Sequence, residues 1–206
     1  MSGIKIALTG KMRSGKTSAA IHLLAEYGFE TLSFGGKLKL FADEIFACSD
    51  VYKPEPIYED TPIGRHVVGY RKPRRLYQDF GQAMRQLDPD IWIKHAEAKL
   101  KSSEAERIVI DDLRQPNEYE WARANGFVII RVNAPEYLRI ERAEAVGDNF
   151  DIADLTHETE KHVDTFAVDY EVNNNGDIRD LERQIDEIMT EIGVNSRLNH
   201  FRPNGI

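Results

Sequence analysis

A chain of 206 residues is long enough for one domain with a sizeable core and a small insertion. Its hydrophobic fraction of 41%, charged fraction of 30% and net charge of -8 are an ordinary soluble composition, and they exclude a general nucleic-acid coat, which needs a basic surface. A single cysteine, Cys48, excludes an internal disulfide framework and fits a reducing cytoplasm, and no segment is apolar enough to span a bilayer.

The first residues do not read as a signal peptide, because "IKIALT" enters a buried strand at once. Directly behind it stands "GKMRSGKT", Gly10 to Thr17, followed by "KTSAAIHLLAEYG", whose apolar residues recur at helical spacing up to Gly28. "FETLSF" reads as a second strand and "GKLKLFADEIFACS" as an amphipathic helix. From about Asp50 to Lys72 the chain is punctuated by Pro and Gly and reads as a mobile excursion. "PRRLYQDFGQAMRQL" and "PDIWIKHAEAKLKSS" read as helices, the second opening at Pro89 with Asp88 as its cap. "RIVIDD" is a central strand ending in two carboxylates, "NEYEWARANG" a helix, and "FVIIRVNA" another buried strand. "PEYLRIERAEA" starts a helix with Pro at its first turn, and "VGDNFDIADLTHETE" is polar enough for a lid. "DYEVNNNG" is a last short strand and turn, and "IRDLERQIDEIMTEIG" a closing amphipathic helix; the tail after it shows no period. Strands alternating with helices predict a three-layer α/β domain around a parallel sheet.

The loop carries the chemistry. Gly10, four residues, then Gly15, Lys16 and Thr17 complete the phosphate-loop pattern between a strand and a helix. Its glycines let successive N–H groups turn toward phosphate oxygens, Lys16 adds a point charge, and the Thr17 hydroxyl is a Mg²⁺ ligand. The helix behind the loop offers its positive end to the anion. Residues Gly10, Lys11, Met12, Arg13, Ser14, Gly15, Lys16, Thr17 and Ser18 therefore form the expected ATP site. Such a site needs a carboxylate from a neighbouring strand, and Asp111 and Asp112 offer one. Strand alternation points them to opposite faces, so only one can face the phosphates.

Several functions fall away. A GTP switch needs Asn-Lys-x-Asp, and "NNNG" lacks both Lys and Asp. "DFGQ" at Asp79 has no protein-kinase His-Arg-Asp loop beside it, and Gly81 reads instead as a helix residue permitting close approach. A small-molecule kinase needs cations around a second phosphate and a lid that excludes water. Lys37, Lys39, Arg71, Arg74, Arg75, Arg85, Arg114, Arg139 and Arg142 stand in suitable segments.

The chain resembles the phage-type deoxynucleoside monophosphate kinases of the P-loop nucleoside monophosphate kinase group. The matching pieces are "GKMRSGKT", "SFGGKLKLFADEIF", "PRRLYQDFGQAMRQLDPDIWI", "IVIDDLRQPNEYEWARANGFVIIRV" and "HETEKHVDTFAVDYEVNNNG". The resemblance implies a single P-loop kinase domain, with an acceptor-binding region over about 35–105, helical in character, and a lid over about 139–157. It implies Mg²⁺- and ATP-dependent phosphorylation of a deoxynucleoside 5′-monophosphate in the cytoplasm, with no polymeric nucleic acid or membrane as partner, and leaves a homodimer open. Lys39, Arg74, Tyr77, Gln78, Arg85, Asp112 and Arg114 would hold the acceptor, and Asn117 and Glu118 would fix the loop after the carboxylates. Asp112 and Arg114 occupy the family's Asp-x-Arg slot, which selects Asp112 over Asp111 as the catalytic carboxylate beside Lys16. Arg139 and Arg142 would close from the lid over the migrating phosphoryl group. Phe34, Tyr77, Phe80, Trp92 and Gln78 offer surfaces for a base, with core packing an equal reading for Phe80 and Trp92. Kinases of the phosphomevalonate and dephospho-coenzyme A types share the plan, and a non-catalytic nucleotide-binding module is the competing class.

Overall fold

The central strand is the first apolar run of the chain. Strand β1 (Ile4–Thr9) leaves Ile6, Ala7 and Leu8 with no exposed surface, the pattern of a strand covered on both faces. The computed structural model describes residues 3–49, 56–62, 64–70, 73–145 and 162–196. Helix α1 (Lys16–Tyr27) follows the phosphate loop, then come β2 (Glu30–Leu32) and α2 (Gly35–Phe46). A hairpin of β3 (Pro56–Thr61) and β4 (Gly64–Tyr70) leads to α3 (Arg74–Leu87) and α4 (Ile91–Ser102). The chain returns to the sheet with β5 (Arg107–Leu113), α5 (Pro116–Ala124), β6 (Val128–Asn133) and α6 (Glu136–Ala145). It closes with β7 (Tyr170–Asn173) and α7 (Ile178–Glu191).

Five strands form one parallel sheet in the order β2-β5-β1-β6-β7, so β1 sits between β5, which carries the carboxylates, and β6, which leads into α6. Two apolar layers sandwich it. Leu23, Tyr27, Leu181, Ile185 and Met189 of α1 and α7 pack on one face. Leu38, Trp92, Ile93, Ala96 and Ala122 of α2, α4 and α5 pack on the other. This is the P-loop kinase fold, three-layered as its alternating pattern requires. No described helix is long and apolar enough to cross a membrane.

The segment 50–72, read from its Pro and Gly content as an excursion, contains an antiparallel hairpin across residues 56–61 and 64–70. Its β-branched and aromatic residues sit in the paired stretches, while Pro56 takes a strand's first position and Pro62 the turn, where a missing N–H disrupts no ladder. The region expected to bind the acceptor is therefore not purely helical. Helix α4 starts two residues later than expected: Asp90 is its N-cap residue, while Asp88 accepts from the Asp90 N–H and pairs with Lys94. Trp92 is core, 2% exposed, with its indole N–H donating to the Gly81 carbonyl. A Cβ on Gly81 would stand 2.5 Å from Leu38 Cδ1, so glycine is what lets α3 approach α2. The greater part of the expected lid, residues 146–157, lies outside the described residues, as do Arg71 and the tail from 197.

Leu23 is fully buried between α1 and the sheet. Leu23→Ala is expected to cost about 2–5 kcal/mol, read as a lower urea midpoint with an unchanged denaturant slope. A midpoint within error of the parent would contradict this core assignment.

Candidate active site

The phosphate loop is built by three unusual backbone positions. Gly10 and Gly15 have φ of 137° and 111°, and Arg13 is left-handed at 61°, so the chain curls tightly between β1 and α1. The Lys16 ammonium donates to the Gly10 carbonyl at 2.5 Å and the Lys11 carbonyl at 2.8 Å and is 6% exposed, which keeps the charge at the loop rather than in solvent. Ser14 is buried and its Oγ has no hydrogen-bond partner among the described residues. Lys11 pairs with Asp164 at 2.7 Å. Beside the loop opens a cleft of about 250 Å³ lined by Lys11, Ser14, Asn133, Pro135, Asp164, Asn173 and Asn175, between the ends of β6 and β7.

At the end of β5 the two carboxylates divide their work. Pairing with β1 runs from Ala7↔Ile110 to Thr9↔Leu113, so β5 carries one extra residue across Asp111 and Asp112. Asp111 Oδ2 accepts from the Thr17 hydroxyl at 3.3 Å. Asp112 faces the other way: it accepts from the Ser33 hydroxyl at 2.6 Å and from the N–H groups of Phe34 and Gly35 at 3.1 and 2.8 Å. The expectation that Asp112 faces the phosphate loop is thus corrected, because both its oxygens are committed to the start of α2, where a carboxylate also offsets the positive helix end. Burial and the neighbouring Asp112 raise the Asp111 pKa, opposed by Thr17, Lys39 and Lys16. Thr17 and Asp111 are hard oxygen donors side by side, which is the chemistry Mg²⁺ takes from a protein when phosphates supply further oxygens.

The expected acceptor residues separate into two groups. Exposed Lys39 carries its ammonium near Asp111 and Gly35, and Arg74 reaches the loop, with a nitrogen 3.4 Å from Met12 Sδ. Gln78 is half-buried on α3. Tyr77 instead donates to Asp43 at 2.8 Å, and burial followed by Asp43 pushes its phenol up to about 12. Arg85 pairs with Glu118 at 3.2 Å, and Glu118 also accepts from the N–H groups of Arg114 and Gln115. Glu118 and Gln115 form a capping box on α5, and Asn117 bonds the Pro89 carbonyl and Asp90, so these residues do fix the loop after the carboxylates. Arg75 and Lys37 are exposed surface residues, the first facing Asp79 and the second over the Phe41 ring.

The two arginines of α6 sit on the loop itself. Arg139 is 3% exposed and donates to the Met12 carbonyl at 3.3 Å, with Glu136 3.6 Å away. Arg142 donates to the Asn174 carbonyl at 2.9 Å and its Oδ1 at 3.3 Å, and approaches the Arg13 carbonyl at 3.5 Å. Asn174 in turn donates to the Ser14 carbonyl at 2.8 Å. Asp164 and Asn174 lie within the stretch "HETEKHVDTFAVDYEVNNNG" that carries the family resemblance, but neither was read there as a site residue.

A phosphate loop, a facing Thr–Asp pair and a cation-lined second segment on this fold define a P-loop kinase. Residues 6–162 match the family described as AAA domain (AAA_18), and the chain belongs to it. A relative from Acanthamoeba polyphaga mimivirus, named "Putative deoxynucleotide monophosphate kinase", is 30% identical over 151 residues, covering 64% of this chain and 75% of its own. Among solved structures, TT1252 from Thermus thermophilus superposes with a TM-score of 0.58 at 18% identity, covering 93% of this chain and 99% of that one. Shikimate kinase from Acinetobacter baumannii, in complex with shikimate, gives 0.52 at 14% identity over 94% and 97%. At those identities the two structures speak for the fold alone.

Burial and then Asp112 raise the Glu118 pKa above its ordinary 4.5. Glu118 therefore holds its proton more tightly folded than unfolded, and its contribution to stability is present below about pH 4.5 and lost as pH rises through the higher folded value. Glu118→Gln removes that titration, so parent stability minus variant stability is expected to fall from pH 4.5 toward neutrality, measured by urea midpoints. A difference that rises over the same range would contradict the burial argument.

Proposed function

We propose that the protein transfers the γ-phosphoryl group of ATP to the 5′-phosphate of a deoxynucleoside monophosphate. One observation carries the reading: the end of β5 serves two segments at once, with Asp111 on Thr17 of the donor loop and Asp112 on the start of the segment bearing Lys39. The 30% identical relative bears a deoxynucleotide monophosphate kinase name, which supports this acceptor class.

In this reading Gly10 to Ser18 hold the donor phosphates, and the cleft between Asn133, Pro135 and Asn173 takes the donor's base and ribose. Lys39 and Arg74 face the acceptor phosphate, supported by Gln78, Tyr77, Arg85 and Arg114 along the wall beneath it. An acceptor phosphate oxygen forms the new bond to the γ-phosphorus as the bond from that phosphorus to the β,γ-bridging oxygen breaks. The bonding pair leaves with ADP. The attacking oxygen is already anionic, so no general base is required, and the protein contributes alignment and charge neutralisation. Thr17 and Asp111 would hold Mg²⁺, which supplies charge stabilisation between the donor phosphates when bound. Lys16 neutralises charge on the same oxygens from the loop side. Arg142 is half-buried beside the loop and Arg139 buried behind it, so their contribution to transfer runs through the loop's shape.

The test is ADP release with ATP, Mg²⁺ and each common deoxy- and ribonucleoside monophosphate, with phosphomevalonate as a separate arm. Acceptor-dependent ADP with deoxynucleotides is expected, and Lys16→Ala should lower turnover by about 10³-fold or more in protein that still unfolds cooperatively in urea. ATP binding without acceptor-dependent ADP would overturn the reading, as would parent-like turnover by Lys16→Ala.

A further inference from the structure

A loop that points its N–H groups inward at an anion must point its carbonyls outward, and each buried carbonyl without a donor costs about 1–3 kcal/mol. Here each carbonyl from Gly10 to Ser14 meets a side-chain donor. Lys16 serves Gly10 and Lys11, Arg139 serves Met12, Arg142 reaches Arg13, and Asn174 serves Ser14. The geometry points to a clamp: Asn174, with Arg142 and Arg139, fixes the carbonyl face of the phosphate loop and so sets its affinity for the donor polyphosphate. This rests on the donor site of the proposed function and names what holds that site in shape.

Asn174 is the member that ties the clamp to the sheet. It is 7% exposed, and its N–H donates to the Asn133 carbonyl at 2.7 Å, one residue beyond the β6–β7 ladder. Its side-chain amide is committed at both ends. Nδ2 donates to the Ser14 carbonyl, which can only accept, and Oδ1 accepts from the Arg142 guanidinium, which can only donate. The opposite orientation of the amide would lose both bonds. A Cβ on Gly15 would stand 2.1 Å from Nδ2, so the amide fills space that glycine alone leaves open. Arg13 adds a reason for restraint, since a left-handed non-glycine residue keeps its conformation only where its surroundings hold it. Asn174 does not need to touch substrate in this account. It is a positioning residue, and its effect must appear on donor-phosphate affinity and on loop protection, whereas a merely structural polar residue would lower stability everywhere alike.

The experiment compares the full chain with Asn174→Ala and with Asn174→Asp, the latter keeping side-chain shape and the Arg142 contact while losing the donor to Ser14. Calorimetry with Mg²⁺ and inorganic tripolyphosphate reads affinity without involving an acceptor or a base, and hydrogen exchange reads the ligand-free loop. The clamp predicts at least tenfold weaker tripolyphosphate binding in both variants. It also predicts at least tenfold faster exchange at amides 12–17, with the amides of β1 unchanged. Affinity within twofold of the parent, or exchange that accelerates equally in β1 and the loop, overturns the clamp. The two readings fail separately: a parent that binds tripolyphosphate but phosphorylates no monophosphate sinks the kinase reading and leaves this result standing. A parent that does not bind tripolyphosphate overturns both.

Discussion

Peptide carbonyls and amides point in opposite directions, and a short loop cannot satisfy both sets internally. The carbonyls of the loop between β1 and α1 accept from Lys16, Arg139, Arg142 and Asn174, and the Ser14 amide closes a turn onto the Lys11 carbonyl. Those donors come from α1, α6 and the turn after β7, so strand order decides whether the loop can exist. With β1 central and β6 and β7 beside it, the sheet delivers Arg139, Arg142 and Asn174 to one side of the loop. β5 on the opposite side delivers Asp111 to Thr17.

The end of β5 meets a related constraint. Burial followed by Asp112 raises the pKa of both Asp111 and Glu118, and each of the three carboxylates has its own partners. Asp111 has Thr17 with Lys16 and Lys39 nearby, Asp112 has Ser33 and two amides of α2, and Glu118 has Arg85 with two amides of α5. This arrangement joins α2, α3 and α5 to the end of one strand. The segment from α2 to α3 is thereby referenced to the same strand end as the phosphate loop, which the proposed in-line transfer would need.

The alternation of apolar runs and helical faces made the three-layer sheet legible, and the loop motif marked the turn between β1 and α1. The hairpin at 56–70 was hidden because its Pro and Gly residues read as loop, although Pro56 and Gly64 open its strands and Gly69 pairs with Ile57. Parity along a strand separates Asp111 from Asp112 but cannot say which faces the loop, and the extra residue in β5 breaks that parity in any case. Arg85 was legible as a cation, while its partner Glu118 is brought to it only by tertiary folding. Asn174 stood in a stretch read only as a strand and turn: its position against the loop follows from a 2.8 Å bond to a residue 160 positions away and from the absence of a Cβ on Gly15.

The central claim is that this loop, held in shape by side chains behind it, receives a nucleotide's phosphates. Amide shifts of ¹⁵N-labelled protein titrated with Mg²⁺ and ATP test it most directly. The account predicts large downfield proton shifts at amides 13–17, saturating together, with smaller shifts at Asn133 and Asn175 beside the cleft. Saturable ATP binding that leaves those loop amides unmoved would contradict it.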